Sequence, residues 1–463
     1  MRALSSEISS VSKPLKITIA GVRGVVGETL TPDLLVNFSQ AFGTYAGPGR
    51  VLVSRDTRAS GRMVEHCVCA GLTATGCEVV RLGVCTTAAL QLAVRQSDAV
   101  GGIAITAGHN NARWNALKFC REDGIYLNPR QAEELLNVYH QKEFTKAAWD
   151  ELPPVGHDDL AGERHLQAIR EQVDVEAIRA AGLKIAVDCT NGACSRFTPR
   201  FLEGLGCEVV AINDDPDLPF PHEPRPTPPN LSQLRALVAA AKADAGFAHD
   251  ADGDRLGIVT EAGEAPGEEY TLCLAAEHVL ARGDRGPVVT NLSTTMAVDD
   301  IARRHDREVV RTGVGQVFIA ETALNYEAAI AGEGSGGVVF PRINYAHDSI
   351  ATLAHILNLM AERAEPASEL IAQVPKYTIV KREIVCPPQR AYTVLEELRR
   401  GFEAPWAGEI NLDDGVKLTG DDRWVHIRVS MTEPRIRVIA EAVAEGLAID
   451  LADAYVRMVE RMM

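Results

Sequence analysis

Apolar positions along this chain recur as short β-branched runs separated by helix-length segments. The same strand, helix, strand order comes round three times. The second strand of each unit is nearly the same: GCEVVRLGV at 76–84, GCEVVAI at 206–212 and REVVRTGV at 307–314. Each is preceded by a helix-like stretch, and each such stretch by a short apolar run, at 51–53, 185–187 and 288–290. Alternating and continuous apolar runs bounded by turn residues read as strands. A connection through a helix favours parallel pairing with a right-handed crossover. Self-similarity at intervals of about 100 to 130 residues therefore predicts three homologous mixed α/β domains.

The tail breaks the pattern. Residues 375–463 hold an acidic, turn-rich segment at 411–414, the strand-like runs WVHIRVS and RIRVIAEA, and a final amphipathic helix. This predicts a smaller C-terminal α+β domain. The expected boundaries are 1–153, 154–262, 263–373 and 374–463. The stretch PDLPFPHEPRPTPP at 216–229 cannot be regular structure, because proline fixes φ and lacks a donor. It is either a linker or a loop packed near the site.

Composition narrows the function classes. A chain of 463 residues has room for about three or four domains. With 46% apolar and 24% charged residues it is ordinary globular material rather than a disordered chain. Forty-seven Lys and Arg against 63 Asp and Glu give a net charge of −16, so no basic footprint for nucleic acid is expected. No apolar run approaches a membrane span, and the first 16 residues lack the apolar core of a secretory signal. The ten cysteines form no C-x-x-C pair and mostly sit in apolar patterns, which suits small buried hydrophobes in a reducing cytoplasm.

Four loops carry candidate chemistry. In Asp250-Ala251-Asp252-Gly253-Asp254-Arg255, between strand-like runs at 245–248 and 256–260, alternation would turn Asp250, Asp252 and Asp254 to one side. Three clustered carboxylates call for a hard cation such as Mg²⁺. A calcium loop of the EF-hand kind is rejected, because Arg255 stands where its sharp-turn glycine belongs and the flanks are strands; a solvated acidic turn is the blander alternative. The turn Thr106-Ala107-Gly108-His109-Asn110-Asn111 follows an apolar strand, where α/β proteins place reactive groups. There His109 could move a proton or bind phosphate and Lys118 neutralise an anion, although such a turn alone is more often only a turn. Gly332-Glu333-Gly334-Ser335-Gly336-Gly337 lets backbone approach a ligand while Glu333 and Ser335 meet hydroxyls, as a sugar would need; a plain flexible loop is the alternative. Arg428, Ser430, Thr432 and Arg437 around a turn would make a phosphate clamp, since guanidinium groups present forked donors to phosphate oxygens. A salt-bridged hairpin is the competing reading.

Together these loops resemble the α-D-phosphohexomutase superfamily, which includes phosphoglucomutase, phosphomannomutase and phosphoglucosamine mutase. The resemblance runs from Gly21-Val22-Arg23-Gly24 through VSRDTR at 53–58 to Arg437, nearly the whole chain. It implies three similar α/β domains and a smaller fourth around a central cleft. It also implies Mg²⁺ on Asp250, Asp252 and Asp254 with Arg255 beside it, sugar hydroxyls on Glu333 and Ser335, and the substrate's non-reacting phosphate on the Arg428–Thr432 loop. The implied reaction moves a phosphoryl group between C1 and C6 of a hexose or hexosamine phosphate through a bisphosphate. A hexose 1,6-bisphosphate is then the expected activator, and a small hexose phosphate the expected partner of a monomer or homodimer. Arg23, His109 and Lys118 match the cationic shell of the family's phosphoserine.

Two loops depart from that pattern. The family loop Thr-Ala-Ser-His-Asn-Pro has Gly108 at its serine and Asn111 at its proline, and the histidine that often closes Gly-Glu-x-Ser-Gly-His is Gly337. Glycine offers no nucleophile, and losing one commonly costs several powers of ten in rate. Three readings follow: an active phosphohexomutase with another acceptor, His109 or Thr106, or with transfer directly from a bound bisphosphate; a phosphosugar phosphatase or bisphosphate-using phosphotransferase; and a non-catalytic phosphosugar-binding protein.

Overall fold

A computed structural model describes residues 16–18, 21–400, 406, 408–430 and 434–463. The three repeated units are present and pair alike. Arg50–Arg55 lies parallel to Glu78–Val84, Lys184–Asp188 to Glu208–Ile212, and Val288–Asn291 to Val309–Thr312. The intervening helices are Gly61–Ala74, Thr198–Leu205 and Ala297–Arg304. The β-branched runs and helix-length connections thus give the pairing expected of them.

On the other side of each first strand lies a third parallel strand, Ala99–Ile105, Ala245–His249 or Ile330–Glu333. Each of these turns back into an antiparallel partner, Trp114–Arg121, Leu256–Thr260 or Gly337–Val339. The catalytic-loop, metal-loop and sugar-loop candidates are therefore the same hairpin in three successive copies. Two of the sheets have four strands. The first has seven, adding Gly21–Val25 and Lys16–Thr18 at one edge and the two-residue strand Gly156–His157 at the other. That last strand comes from beyond residue 153.

Residues 378–442 build a five-stranded antiparallel sheet in the order Thr378–Val385, Arg435–Ala442, Arg423–Val429, Val416–Thr419, Glu409–Asn411. The helices Pro388–Arg400 and Glu445–Met462 accompany it. The fold class is as expected: three mixed α/β units and a smaller α+β domain. One continuous apolar core runs from Leu52 and Leu90 through Phe201 and Phe247 to Leu272 and Leu357, welding the first three units together. The C-terminal sheet packs a core of its own around Val425, Ile427 and Val438.

The proline-rich stretch is a loop packed near the site, not a linker. Its Pro219 carbonyl accepts from Asn191 at 2.7 Å, Phe220 lies under the Arg58 guanidinium at 5.0 Å, and His222 Nε2 meets Asp188 at 3.0 Å. All ten cysteines are free thiols, nine of them buried. Among the described residues no helix is long and apolar enough to cross a membrane.

Candidate active site

The metal-loop hairpin is the hub. Thr87 N–H donates to the Asp252 carbonyl at 3.1 Å, Ser349 N–H to the Gly253 carbonyl at 2.9 Å, and Leu256 N–H to the Gly336 carbonyl at 3.1 Å. Arg255 forms an isolated bridge to Gly337. The sugar loop is thereby locked to the metal loop through main-chain bonds, while the catalytic loop meets the metal loop through a side chain, Thr106 Oγ1 donating to Asp252 Oδ2 at 3.1 Å.

The carboxylates themselves depart from the alternation argument. The loop is a turn, with Gly253 at φ +76°, rather than an extended segment. Asp252 Oδ2 and Asp254 Oδ2 meet at Lys118 Nζ, 2.8 and 2.9 Å away. Asp250 instead folds back, accepting the backbone N–H of Asp254 at 2.8 Å and of Arg255 at 3.1 Å. Among the described residues no group of three or more His, Cys, Asp or Glu is gathered so as to hold a metal ion. The donor set nevertheless fits a hard cation. All three carboxylates are buried, and Asp252 Oδ1 has no hydrogen-bond partner among the described residues. Burial, with Asp252 and Asp254 nearby, pushes the Asp250 carboxyl well above its usual range, and burial and Asp252 push Asp254 up as well. Burial would also raise Asp252, but Lys118 and Thr106 hold it below. Burial opposes the Lys118 charge, yet the two aspartates hold its ammonium well above the ordinary value. One lysine thus serves two carboxylates, and negative charge remains to be balanced.

The catalytic loop is moulded by Arg58, a residue that lies in the VSRDTR motif but whose role sequence reasoning did not find. Its buried guanidinium donates to the carbonyls of Gly108 at 2.6 Å, Asn110 at 2.7 Å and Asn111 at 2.6 Å, while Asp56 pairs with its Nε at 2.9 Å. Arg23 Nη1 donates to Asn110 Oδ1 at 2.6 Å. Gly108 sits at φ +54°, and a Cβ built on it would be in van der Waals contact with Asp252 Oδ2 at 3.4 Å, in a conformation that residues other than glycine rarely adopt. Thr106 is closed in: 1% exposed, its hydroxyl accepts the Gly108 N–H at 3.0 Å and lies 2.7 Å from Asp56 and 3.1 Å from Asp252. His109 is half-buried beside it. Arg255 foremost, then burial, Arg225, Arg23 and Lys118 hold its imidazole well below the ordinary value, so the ring is neutral. The sequence also gave no role to Thr87, whose hydroxyl donates to Asp254.

In the sugar loop Glu333 accepts from Ser335 Oγ at 2.6 Å and from Asn291 Nδ2 at 3.1 Å. Burial would raise its carboxyl, but His347, Arg255 and these two donors keep it lowered and ionised. In the C-terminal sheet Arg428 and Arg437 stand directly opposite each other. Two like charges in that register need counter-charges. Asp414 accepts from Arg428 Nε at 3.0 Å and Glu383 lies 3.4 Å from Arg437 Nε. Asp414 also accepts the Val314 N–H at 2.9 Å, tying the clamp to the third unit. Ser430 is buried beside them. Thr432, with Met431 and Glu433, lies outside the described residues.

Three repeated α/β units and an antiparallel C-terminal domain, with interlocked acidic, cationic and hydroxyl-bearing loops, define a multidomain α/β enzyme. Residues 15–146, 163–263 and 267–377 match the families described as phosphoglucomutase/phosphomannomutase, alpha/beta/alpha domains I, II and III. A Methanopyrus kandleri protein named a probable phosphoglucosamine mutase is 37% identical over 96% of this chain and 97% of its own. A Thermococcus kodakarensis phosphoglucomutase/phosphomannomutase is 35% identical over 95% of this chain and 97% of its own. The crystal structure of a phosphoglucomutase/phosphomannomutase family protein from Burkholderia thailandensis superimposes with TM-score 0.84 at 27% identity, covering 96% of each chain. The chain belongs to the phosphoglucomutase/phosphomannomutase family of the phosphohexomutase superfamily. Its class is that of an isomerase.

Proposed function

We infer that the protein moves a phosphoryl group between C1 and C6 of a hexose or hexosamine phosphate, primed by a hexose 1,6-bisphosphate. The relatives' names favour glucosamine, glucose or mannose phosphates as substrates. The observation that supports this most is the hub itself: Lys118, Asp252, Asp254, Arg255 and Glu333 brought together from three hairpins around one turn. Glu333 and Ser335 would take sugar hydroxyls, and Arg428, Ser430, Thr432 and Arg437 the phosphate that does not react. Mg²⁺ would be held by Asp250, Asp252 and Asp254, where when bound it supplies charge neutralisation for the transferring phosphoryl oxygens.

The family serine position being Gly108, the acceptor on this chain is His109. Thr106 is walled in by Asp56 and Asp252, whereas His109 is half-buried, neutral and surrounded by Arg23, Arg255 and Lys118. A ring nitrogen of His109 attacks the phosphorus of the bisphosphate, the P–N bond forming as the P–O bond to the sugar breaks. Once transfer from O1 has released hexose 6-phosphate, the free O6 hydroxyl of an incoming hexose 1-phosphate takes the phosphoryl group, breaking P–N and regenerating the bisphosphate. The proton lost from the accepting hydroxyl in one half-reaction is regained by the leaving oxygen in the other. Covalent relay divides one difficult transfer into two easier ones.

The lack of a hydroxyl at Gly108 favours a second reading, in which water takes the phosphoryl group and the protein is a phosphosugar phosphatase. Incubation with a hexose 1-phosphate, Mg²⁺ and hexose 1,6-bisphosphate separates the two. Hexose 6-phosphate with no net inorganic phosphate is expected. Phosphate release without interconversion would move the assignment to the phosphatase, and binding with neither product to a non-catalytic phosphosugar-binding protein.

A further inference from the structure

The absent histidine at Gly337 is answered from elsewhere in the chain. A Cβ built on Gly337 would lie 2.5 Å from Nδ1 of His347 and 2.8 Å from its Cε1 and Cγ, so the imidazole of His347 fills the room a side chain at 337 would need. The fold holds it there rigidly. His347 bridges Val339 in the antiparallel sense, and the next residue's N–H donates to the Val338 carbonyl at 2.9 Å. Asp348 then caps the helix Ser349–Arg363, accepting from Ile350 and Ala351 at 3.1 and 3.0 Å, and meets His165 Nε2 at 2.6 Å. Ser349 is bonded to the Gly253 carbonyl of the metal loop.

The ring is 3% exposed, yet its Nε2 has no hydrogen-bond partner among the described residues. Folded proteins seldom leave a buried ring nitrogen unanswered, and one beside a binding loop points to a missing partner. The charged groups facing it are Glu333 of the sugar loop, Asp254 and Arg255 of the metal loop, and Lys118 of the strand Trp114–Arg121. It therefore stands between the group proposed to hold the sugar and those proposed to hold the phosphoryl end.

We propose that His347 is a sugar-binding residue whose Nε2 hydrogen-bonds a hydroxyl of the hexose phosphate held by Glu333, in place of the histidine that position 337 lacks. This rests on the function inferred above. It makes residues 337 and 347 alternatives: one imidazole fits, two do not.

The test is calorimetric titration of hexose 1-phosphate and hexose 6-phosphate into wild type, His347→Ala, His347→Gln, Gly337→His and the double variant Gly337→His/His347→Ala, with melting temperatures and kcat and KM alongside. His347→Ala is expected to bind at least about tenfold more weakly with Mg²⁺ affinity unchanged. Gly337→His alone is expected to lose stability against the His347 ring, and the double variant to regain most of the lost affinity. His347→Gln, which keeps a polar side chain, serves if the alanine variant fails to fold, and is expected to weaken binding as well. No binding by wild type would sink the functional reading itself. Binding by wild type with undiminished affinity in His347→Ala or His347→Gln, or loss confined to Mg²⁺, would overturn the role of His347 alone.

Discussion

Between Asp252 and Asp254 the ammonium of Lys118 is the counter-charge that lets two buried carboxylates stand side by side. Removing one member of a buried ionic group leaves an uncompensated charge, which typically costs about 3–5 kcal/mol. Lys118→Met is expected to lose that order of stability in urea unfolding, and added Mg²⁺ to restore part of it. A loss of the ordinary surface-pair size, under about 1 kcal/mol, would show that the aspartates do not depend on Lys118. The same scale shows where reading residues along the chain succeeds and where it stops. Asp252, Asp254, Arg255 and Glu333 were legible because each sits in a short motif whose members act together. His347 was not, since its meaning comes from packing against Gly337, ten positions away, beside its bridge to Val339. Arg58 was visible as part of a motif, but its work on three loop carbonyls exists only in three dimensions.

Among the elements, the strand, helix, strand units were readable because β-branched runs and helix spacing are local signals. What the pattern hid is that the three candidate loops are one hairpin repeated, since the third strands, AVGGIAI, AGFAH and IAGE, share small residues rather than a motif. The strand Gly156–His157 was equally hidden, being two residues long and made by pairing with Glu78–Val84. The proline-rich loop carries a prediction of its own. Burial opposes charge on His222, but Asp188 and the Glu223 carbonyl outweigh it and raise the imidazole above its ordinary value. A group raised in the fold contributes stability that is complete below its unfolded value and is lost as pH rises through the folded one. Wild type is therefore expected to lose a small increment of stability as pH rises from about 6.5 upward. His222→Gln should be flat over that span, as followed by urea midpoints. Parallel curves for the two proteins would remove His222 from the anchoring of this loop.

For the whole molecule, the first three units share one core and the C-terminal sheet has another, so the clamp of Arg428 and Arg437 is carried on a separately packed body joined through Asp414 and Val314. Buried histidines are spread over both. Burial lowers His249, His278 and His426 to about 4. These rings are neutral in the fold and take up protons on unfolding, so stability is present above the ordinary imidazole value and falls as pH drops below it. Each contributes a slope of up to about 1.4 kcal/mol per pH unit. Urea midpoints are expected to fall steeply from about pH 6.5 towards pH 4, and less steeply in His278→Asn. An unchanged slope in that variant would remove His278 from the groups that drive the acid transition. The net charge of −16 describes the surface, while Arg23, Lys118, Arg255, Arg428 and Arg437 would supply the cations of the proposed site. The claim on which the rest depends is that this site relays a phosphoryl group without a serine at position 108. Its most direct measurement is a ³¹P NMR time course of hexose 1-phosphate with Mg²⁺ and hexose 1,6-bisphosphate, run with wild type and His109→Gln at enzyme concentrations near substrate. Conversion to hexose 6-phosphate by wild type, with an acid-labile phosphoryl group on His109 and neither in the variant, is the expected result; no conversion by wild type, or equal conversion by both, would contradict it.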